Sequence, residues 1–285
     1  MVLMGRCRDG SARLARTTQS CCANEHKACT FDDVDGNARL TALVEVLQRD
    51  GRLDVAEMAA EFGAAEMTIR RDLERIVAMG MARRVRGGAI SLLMRGEELP
   101  FALRALDRSD AKTRIATAVA EVLRDGEAVL LDSGTTAVLI GRALAGRRLT
   151  VMPMSLHAAW EFAGSTSVRL LMPGGDTRPG ELAMVGPLAL ASIGALRFDT
   201  AVISCCGMSI GAGITAISLA DAALKAVAIE VASRVVLVAD STKFARTTMA
   251  VIAPLTEVDV LVTDDQLPSS AHTLLTDMGV EVRYG

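Results

Sequence analysis

No run of about 20 uninterrupted apolar residues occurs in the 285-residue chain, so nothing in it reads as a membrane-spanning helix. The 51% hydrophobic content is divided instead among short segments punctuated by Gly and Asp. A basic excess is missing as well. The formal charge of -3 excludes a uniformly basic nucleic-acid coat but leaves room for a local basic patch. The opening stretch, "MVLMGRCRDGSARLARTTQSCCANEHKACTFDD", has no compact apolar signal-peptide core, from which a cytoplasmic location is expected. Cysteines at 7, 21, 22, 29, 205 and 206 are not spaced as a disulfide framework. Cys22, His26 and Cys29 lack the second closely spaced ligand pair of a zinc finger, so no metal is assigned and residues 1–36 read as a disordered extension.

The length admits one large α/β domain or a small domain ahead of a medium one, and local texture favours the second. From Asn37, "NARLTALVEVLQRDG" sets Leu40, Leu43, Val44 and Leu47 at helical spacing and ends on Gly51. Next, "DVAEMAAEFG" offers Asp54 as N-cap and Glu57 three residues on, then an inner face of Val55, Met58, Ala59 and Phe62. A turn, "GAA", leads to a third helix from about Glu66 to Met79 with a stripe of Ile69, Leu73, Ile76 and Val77. A short helix, a tight turn and a longer helix are the elements of a helix-turn-helix, whose second helix fits a major groove. "MARRVRGGAI" then reads as a β-hairpin wing.

Charge within this module is concentrated. Residues 65–90 hold six arginines, at 70, 71, 75, 83, 84 and 86, against Glu66, Asp72 and Glu74, a local balance of +3 (6 minus 3). Arginine on a solvated helix face is often only solubilising. Here all six fall on the helix and wing that would meet DNA, so Arg70, Arg71, Arg75, Arg83, Arg84 and Arg86 are the candidate DNA contacts.

Residues 37–92 therefore read as a winged helix-turn-helix and 93–110, with Pro100 and scattered charge, as a connector. From 111 to 285 a helix is followed by βα repetition through "EAVLLD", "RLTVMP", "SVRLLMPGG", "FDTAVIS", "RVVLVAD" and "VDVLVTD". Short strands rich in Val and Leu are what a parallel sheet buried on both faces requires. Asp132, Asp240 and Asp264 recur at strand ends, where an open α/β sheet borders its ligand crevice; such carboxylates either accept ligand hydroxyls or organise loops.

The segment "TIRRDLERIVAMGMARRVRGGAI", with "LDSGTT" at 131–136, "MPGG" at 172–175 and "ADSTKF" at 239–244, resembles the DeoR-type bacterial transcriptional regulators of sugar metabolism, from about residue 37 to 284. The resemblance implies a DNA-binding winged helix-turn-helix and a mostly parallel α/β sensor domain similar to sugar-phosphate isomerases. It implies operator DNA as partner, a phosphorylated sugar as effector, a homo-oligomer (dimer or tetramer), and repression of sugar or sugar-alcohol catabolism genes. Position by position, Thr68, Arg70 and Arg71 match the family's recognition-helix motif, and Arg86, Gly87 and Gly88 its wing.

In the sensor, Ser133, Gly134, Thr135 and Thr136 match a loop that resembles the isomerases' phosphate loop. The chemistry suits an anion, because a Gly admits close backbone approach, hydroxyls donate, and a helix start presents open N–H groups. Asp132, Gly174, Gly175, Asp240 and Lys243 join the candidate effector residues through the matching motifs. Lys225, in "ADAALKAVAIE", joins them as a residue that points either to the crevice or to solvent. The chain departs from the family at Pro153-Met154, at "CCGMS" and at Asp221, and Ala65 stands where a helix-capping Ser is common. The other reading is a sugar-phosphate isomerase with an accessory DNA module, for which Asp199, Asp240 and Lys243 supply chemical types but no fixed spacing. No catalytic residue, metal or cofactor is assigned.

Overall fold

The computed structural model describes residues 36–92 and 99–285, so the expectations for the N-terminal extension and for 93–98 of the connector fall outside it. Helix α1 (Gly36–Asp50) buries Leu40, Leu43, Val44 and Leu47 completely, and Gly51 stops it at a positive φ of 76°. A three-residue strand, β1 (Arg52–Asp54), follows, and the Asp54 carboxylate accepts from the Ala56 and Glu57 amides at 2.9 and 3.1 Å to open α2 (Val55–Glu61). α3 (Glu66–Ala78) sends Ile69, Leu73 and Ile76 into the same core. Its N-cap, Ala65, accepts nothing through its side chain.

The wing is β2 (Ala82–Val85) and β3 (Gly88–Ser91), joined by Arg86 and Gly87. β1 adds to the other edge of β3, giving the order β1-β3-β2. At Gly88 a Cβ would stand 1.9 Å from the Leu53 carbonyl oxygen, so the close approach of β1 to β3 requires glycine there.

Beyond residue 98 the connector is helical. α4 (Phe101–Leu106) buries Leu103 in the winged-helix core, and α5 (Ser109–Val122) starts from Arg108 in the left-handed region, φ 50°. A six-residue helix behind Pro100 is too short to show a period, which is why the sequence read as a link.

The remaining elements run β4 (Ala128–Leu131), α6 (Thr135–Leu144), β5 (Thr150–Pro153), α7 (Leu156–Trp160), β6 (Arg169–Leu170), β7 (Asp176–Arg178), β8 (Ala183–Val185), α8 (Pro187–Gly194) and β9 (Thr200–Ser204). They continue with β10 (Gly207–Ser209), β11 (Gly213–Ala216), α9 (Leu219–Glu230), β12 (Val235–Val238), β13 (Ala250–Ala253), β14 (Val260–Thr263), α10 (Ser269–Asp277) and β15 (Glu281–Tyr284). Seven strands form one parallel sheet in the order β15-β14-β12-β9-β4-β5-β6.

Alternation explains its two-sided burial: Leu130, Ile203, Leu237 and Leu261 enter one apolar cluster while Leu131, Val202, Val236 and Val262 enter another. The hairpin β7-β8 and the antiparallel set β10-β11-β13 sit outside that sheet. The chain leaves β4 through β5 and β6, then returns to β4's other side at β9. Such a reversal opens a crevice at the strands' carboxyl ends. Among the described residues no helix is long and apolar enough to cross a membrane.

Because Ala65 leaves the start of α3 without a side-chain acceptor, Ala65→Ser is expected to stabilise the winged helix by about 0.5–1 kcal/mol. Urea unfolding of the full chain, followed through this module, checks it. An unchanged or lowered midpoint means that the helix start is satisfied in another way.

Candidate functional site

The face of α3 opposite the Ile69/Leu73/Ile76 stripe carries Arg70, Arg71 and Arg75, all exposed, with Thr68 half-buried in the first turn. Arg70 pairs with Glu66 one turn back at 2.9 Å, an exposed contact of little strength and easily exchanged for another anion. Asp72 is turned inward, where Arg39 of α1 holds it at 2.7 Å, with Arg75 3.9 Å away. Arg83, Arg84, Arg86 and Gly87 are exposed on the wing. No carboxylate among the described residues pairs with Arg71, Arg83, Arg84 or Arg86. The six arginines and Thr68 thus lie on the helix and wing, on the solvent side of the apolar core.

A second site lies at the switch point. A cavity of about 660 Å³ opens where β4, β9 and β12 end. Gly134, Thr135 and Thr136 line it from the β4–α6 loop, Ser204 to Cys206 from the end of β9, and Asp240, Thr242 and Lys243 from the turn after β12. Arg104, Asp107, Arg108 and Lys112 close it from the α4–α5 corner, and Glu45, Gln48 and Arg49 of α1 complete the wall.

Gly134 turns the loop at φ 96° and caps α6, whose first amides have no partner within the helix. Six cationic side chains (Arg49, Arg104, Arg108, Lys112, Lys243 and Arg246) and three carboxylates (Glu45, Asp107 and Asp240) line the cavity, a lining balance of +3 (6 minus 3), with Arg49, Arg104 and Arg108 also paired to Asp50, Glu181 and Asp264 outside the lining. An anion is the ligand this arrangement suits.

Beneath the floor, the Asp132 carboxylate accepts from the Ser133 amide at 2.7 Å and from the Ser204 amide and hydroxyl, both at 2.6 Å. The Lys225 ammonium lies 3.0 Å from both Asp132 and Asp221 and donates to the Ser204 carbonyl at 3.0 Å. Burial alone would depress the Lys225 pKa, but the two carboxylates raise it above the ordinary lysine value, so the ammonium stays charged. Lys225 therefore points neither to the crevice nor to solvent. It is packed under Ser204 and, with Asp132, fixes the loop from behind.

Lys112 lines the cavity itself, and burial brings its pKa down to about 8 against the raising pull of Asp107 and Asp240. Its ammonium donates to the carbonyls of Asp107, at 2.6 Å, and Arg104. Burial pushes the Cys205 thiol up to about 12, so it is neutral. Of the strand-end carboxylates, Asp240 accepts from the Thr242 amide at 3.1 Å. Asp264 accepts from Gln266 and Ser241 amides at 3.0 and 3.2 Å and from Arg108 at 3.1 Å. For Asp264, burial is outweighed by the Ser241 side chain, those amides and Arg108, which hold its pKa below the usual carboxylate range. Both carboxylates organise loops.

Of the sequence-derived effector residues, Gly134, Thr135, Thr136, Asp240 and Lys243 meet at the cavity, while Asp132, Ser133 and Lys225 sit behind it. Gly174 and Gly175 are not brought there: they are exposed, and a Cβ on Gly175 would stand 2.5 Å from the Val185 carbonyl oxygen, so this glycine serves the β7-β8 hairpin. Asp199 is at the opposite, amino-terminal ends of the strands, accepting from the Ala128 amide at 2.7 Å. Arg104, Arg108, Lys112, Ser204 and Arg246 escaped the sequence reading. The i,i+4 pair Arg108 and Lys112, at the start of a helix, was the one local hint.

Residues 39–93 match the DeoR-like helix-turn-helix domain, and residues 107–265, more than half of the chain, match the DeoR C terminal sensor domain. The chain is 32% identical over 238 residues to the transcriptional repressor AccR of Agrobacterium fabrum, covering 83% of this chain and 92% of that one. It is 30% identical over 244 residues to the uncharacterized HTH-type transcriptional regulator YulB of Bacillus subtilis (86% and 95%), and 26% identical over 245 residues to the glycerol-3-phosphate regulon repressor of Escherichia coli (86% and 97%). Among solved structures, ribose 5-phosphate isomerase A of Methanocaldococcus jannaschii aligns with 49% of this chain and 56% of its own at 15% identity and a TM-score of 0.37. With both domain matches in order along a winged helix and a parallel-sheet domain, the chain belongs to the DeoR family of DNA-binding transcriptional regulators.

Proposed function

We propose that the protein represses sugar or sugar-alcohol catabolism genes from an operator in the cytoplasm, and that a phosphorylated sugar bound in the switch-point cavity releases it. The observation that carries the effector half is the loop Ser133–Thr136, which opens the start of α6 into a cavity with an excess of cationic side chains. The names of two relatives, a repressor and a glycerol-3-phosphate regulon repressor, support the regulatory half. A homodimer or tetramer fits the size of the winged helix, since one module contacts few base pairs and paired half-sites multiply affinity.

The isomerase reading finds less support. A proton-abstracting base has to reach the ligand's carbon, yet of the three candidate groups Asp199 is at the amino ends of the strands and Asp240 is engaged with Thr242. That leaves Lys243 alone at the cavity, with no second group among the described residues placed beside it for the proton transfer. Binding with differential affinity for two arrangements is sufficient for a regulator.

Arg70→Ala/Arg71→Ala removes two exposed cations from the groove-facing side of α3 without touching its core. Operator affinity is expected to fall about a hundredfold or more, with the circular dichroism of the full chain unchanged. Wild-type affinity for operator over scrambled duplex in this variant would place the DNA contact elsewhere.

In calorimetric titrations with a panel of sugar phosphates, Thr135→Ala and Lys243→Ala are each expected to weaken binding about tenfold while leaving ligand-free operator affinity intact. Affinity in the wild type should also fall as the pH rises through 8. There Lys112, flanked by Asp107, Asp240, Lys243 and Arg104, loses its charge while a phosphate ester stays dianionic. Ligand affinity that is indifferent to both substitutions and to pH 7–9 removes the effector from this cavity.

A further inference from the structure

Helix α4 touches both halves of the protein through adjacent residues. Leu103 is 1% exposed within the winged-helix core, and Arg104, about 100° further round the helix, faces the cavity. One Arg104 guanidinium nitrogen lies 3.9 Å from the point where a Cβ on Gly134 would stand, so it borders the opening of α6. The same guanidinium is hydrogen-bonded to Glu181, in a pair whose side chains are 19% and 10% exposed, and to the Leu99 carbonyl at 2.9 Å. α4 is further fastened to the sensor domain by Phe101, whose ring stacks on His157 of α7 at 4.2 Å.

We propose that Arg104 is a direct ligand of the effector's phosphoryl group and the residue through which the winged helix senses it: an anion on Gly134–Thr136 competes with Glu181 for the Arg104 guanidinium and thereby displaces α4. This rests on the effector reading above and adds to it the residue that couples the two domains. A carboxylate offers the guanidinium one negative charge, whereas a phosphate ester near neutral pH offers about 1.5 to 2 and matches the guanidinium fork with two oxygens. With the donor already beside Gly134, a shift of the side chain and a slight rotation of a six-residue helix suffice.

The consequence reaches the DNA-contacting helix through packed elements. α4 packs on α1, α1 supplies Glu45, Gln48 and Arg49 to the cavity wall, and Arg39 of α1 holds Asp72 of α3, next to Arg71. These contacts form a continuous packed route from the cavity to α3, along which a displacement of α4 can be carried.

The test uses the full chain, with inorganic phosphate as the probe, in calorimetry and in hydrogen exchange of residues 36–92. Arg104→Ala is expected to weaken phosphate binding about tenfold or more and to abolish the phosphate-induced change in exchange of α1. Glu181→Gln removes the competitor's charge. It is expected to tighten phosphate binding several-fold, about the effect of one charge-assisted hydrogen bond, and to shift α1 towards the liganded exchange pattern without phosphate. A merely misfolded variant would not tighten binding. Phosphate affinity and exchange response equal to wild type in Arg104→Ala, or no gain of affinity in Glu181→Gln, overturns the proposal. A wild-type chain that takes up no phosphate and is indifferent to Thr135→Ala fails at the effector reading instead and takes this proposal with it.

Discussion

The Asp132 carboxylate is the pin on which the sensor domain turns. It sits at the end of β4, accepts from both ends of the reversal at Ser133 and Ser204, and shares the Lys225 ammonium with Asp221. Removing three ionised groups from water is costly, and removing any one partner would leave an uncompensated buried charge. That arrangement fixes two loops, after β4 and after β9, in one relative position. The sheet's order reverses at that place, so the loops frame the crevice. Held in this way, the two loops keep an open helix start and a set of cations along one cavity wall.

A second constraint lies at the boundary between the halves. A winged helix with a short core and a parallel-sheet domain could be joined by a loose tether, but residues 101–106 form a helix whose Leu103 completes the first core and whose Arg104 enters the second domain's cavity. The strained αL conformation of Arg108, φ 50°, makes the corner between α4 and α5 and brings its guanidinium to Asp264 at 3.1 Å. The linker is therefore part of both domains, and the same short segment supplies cations to the cavity.

Much of this was legible in the sequence where periodicity is long enough to read. The stripes of α1 and α3, the Asp54 cap, the vacant cap at Ala65, and six of the seven strands of the parallel sheet follow from local pattern. β1 and α4 have three and six residues, too few for any period, and β15 is mostly exposed. Lys225 was ambiguous because an Asp221/Lys225 pair at i,i+4 reads equally well on a solvated helix face. Only the packing of α9 under Ser204 shows it to be buried. Arg104 and Arg108 were hidden for a related reason: scattered charge in a supposed connector acquires meaning only when the chain folds it over a distant loop, as the approach of Arg104 to Gly134, 30 residues on, shows.

The most direct test of the whole account is a crystal structure of the full chain grown with a saturating phosphorylated polyol such as glycerol 3-phosphate. The phosphoryl group is expected on the amides of Gly134, Thr135 and Thr136, with Arg104 turned from Glu181 towards it and α1 displaced relative to the ligand-free arrangement. A phosphoryl group bound elsewhere on the molecule, or one bound in the cavity with Arg104 still on Glu181 and α1 unmoved, would contradict it.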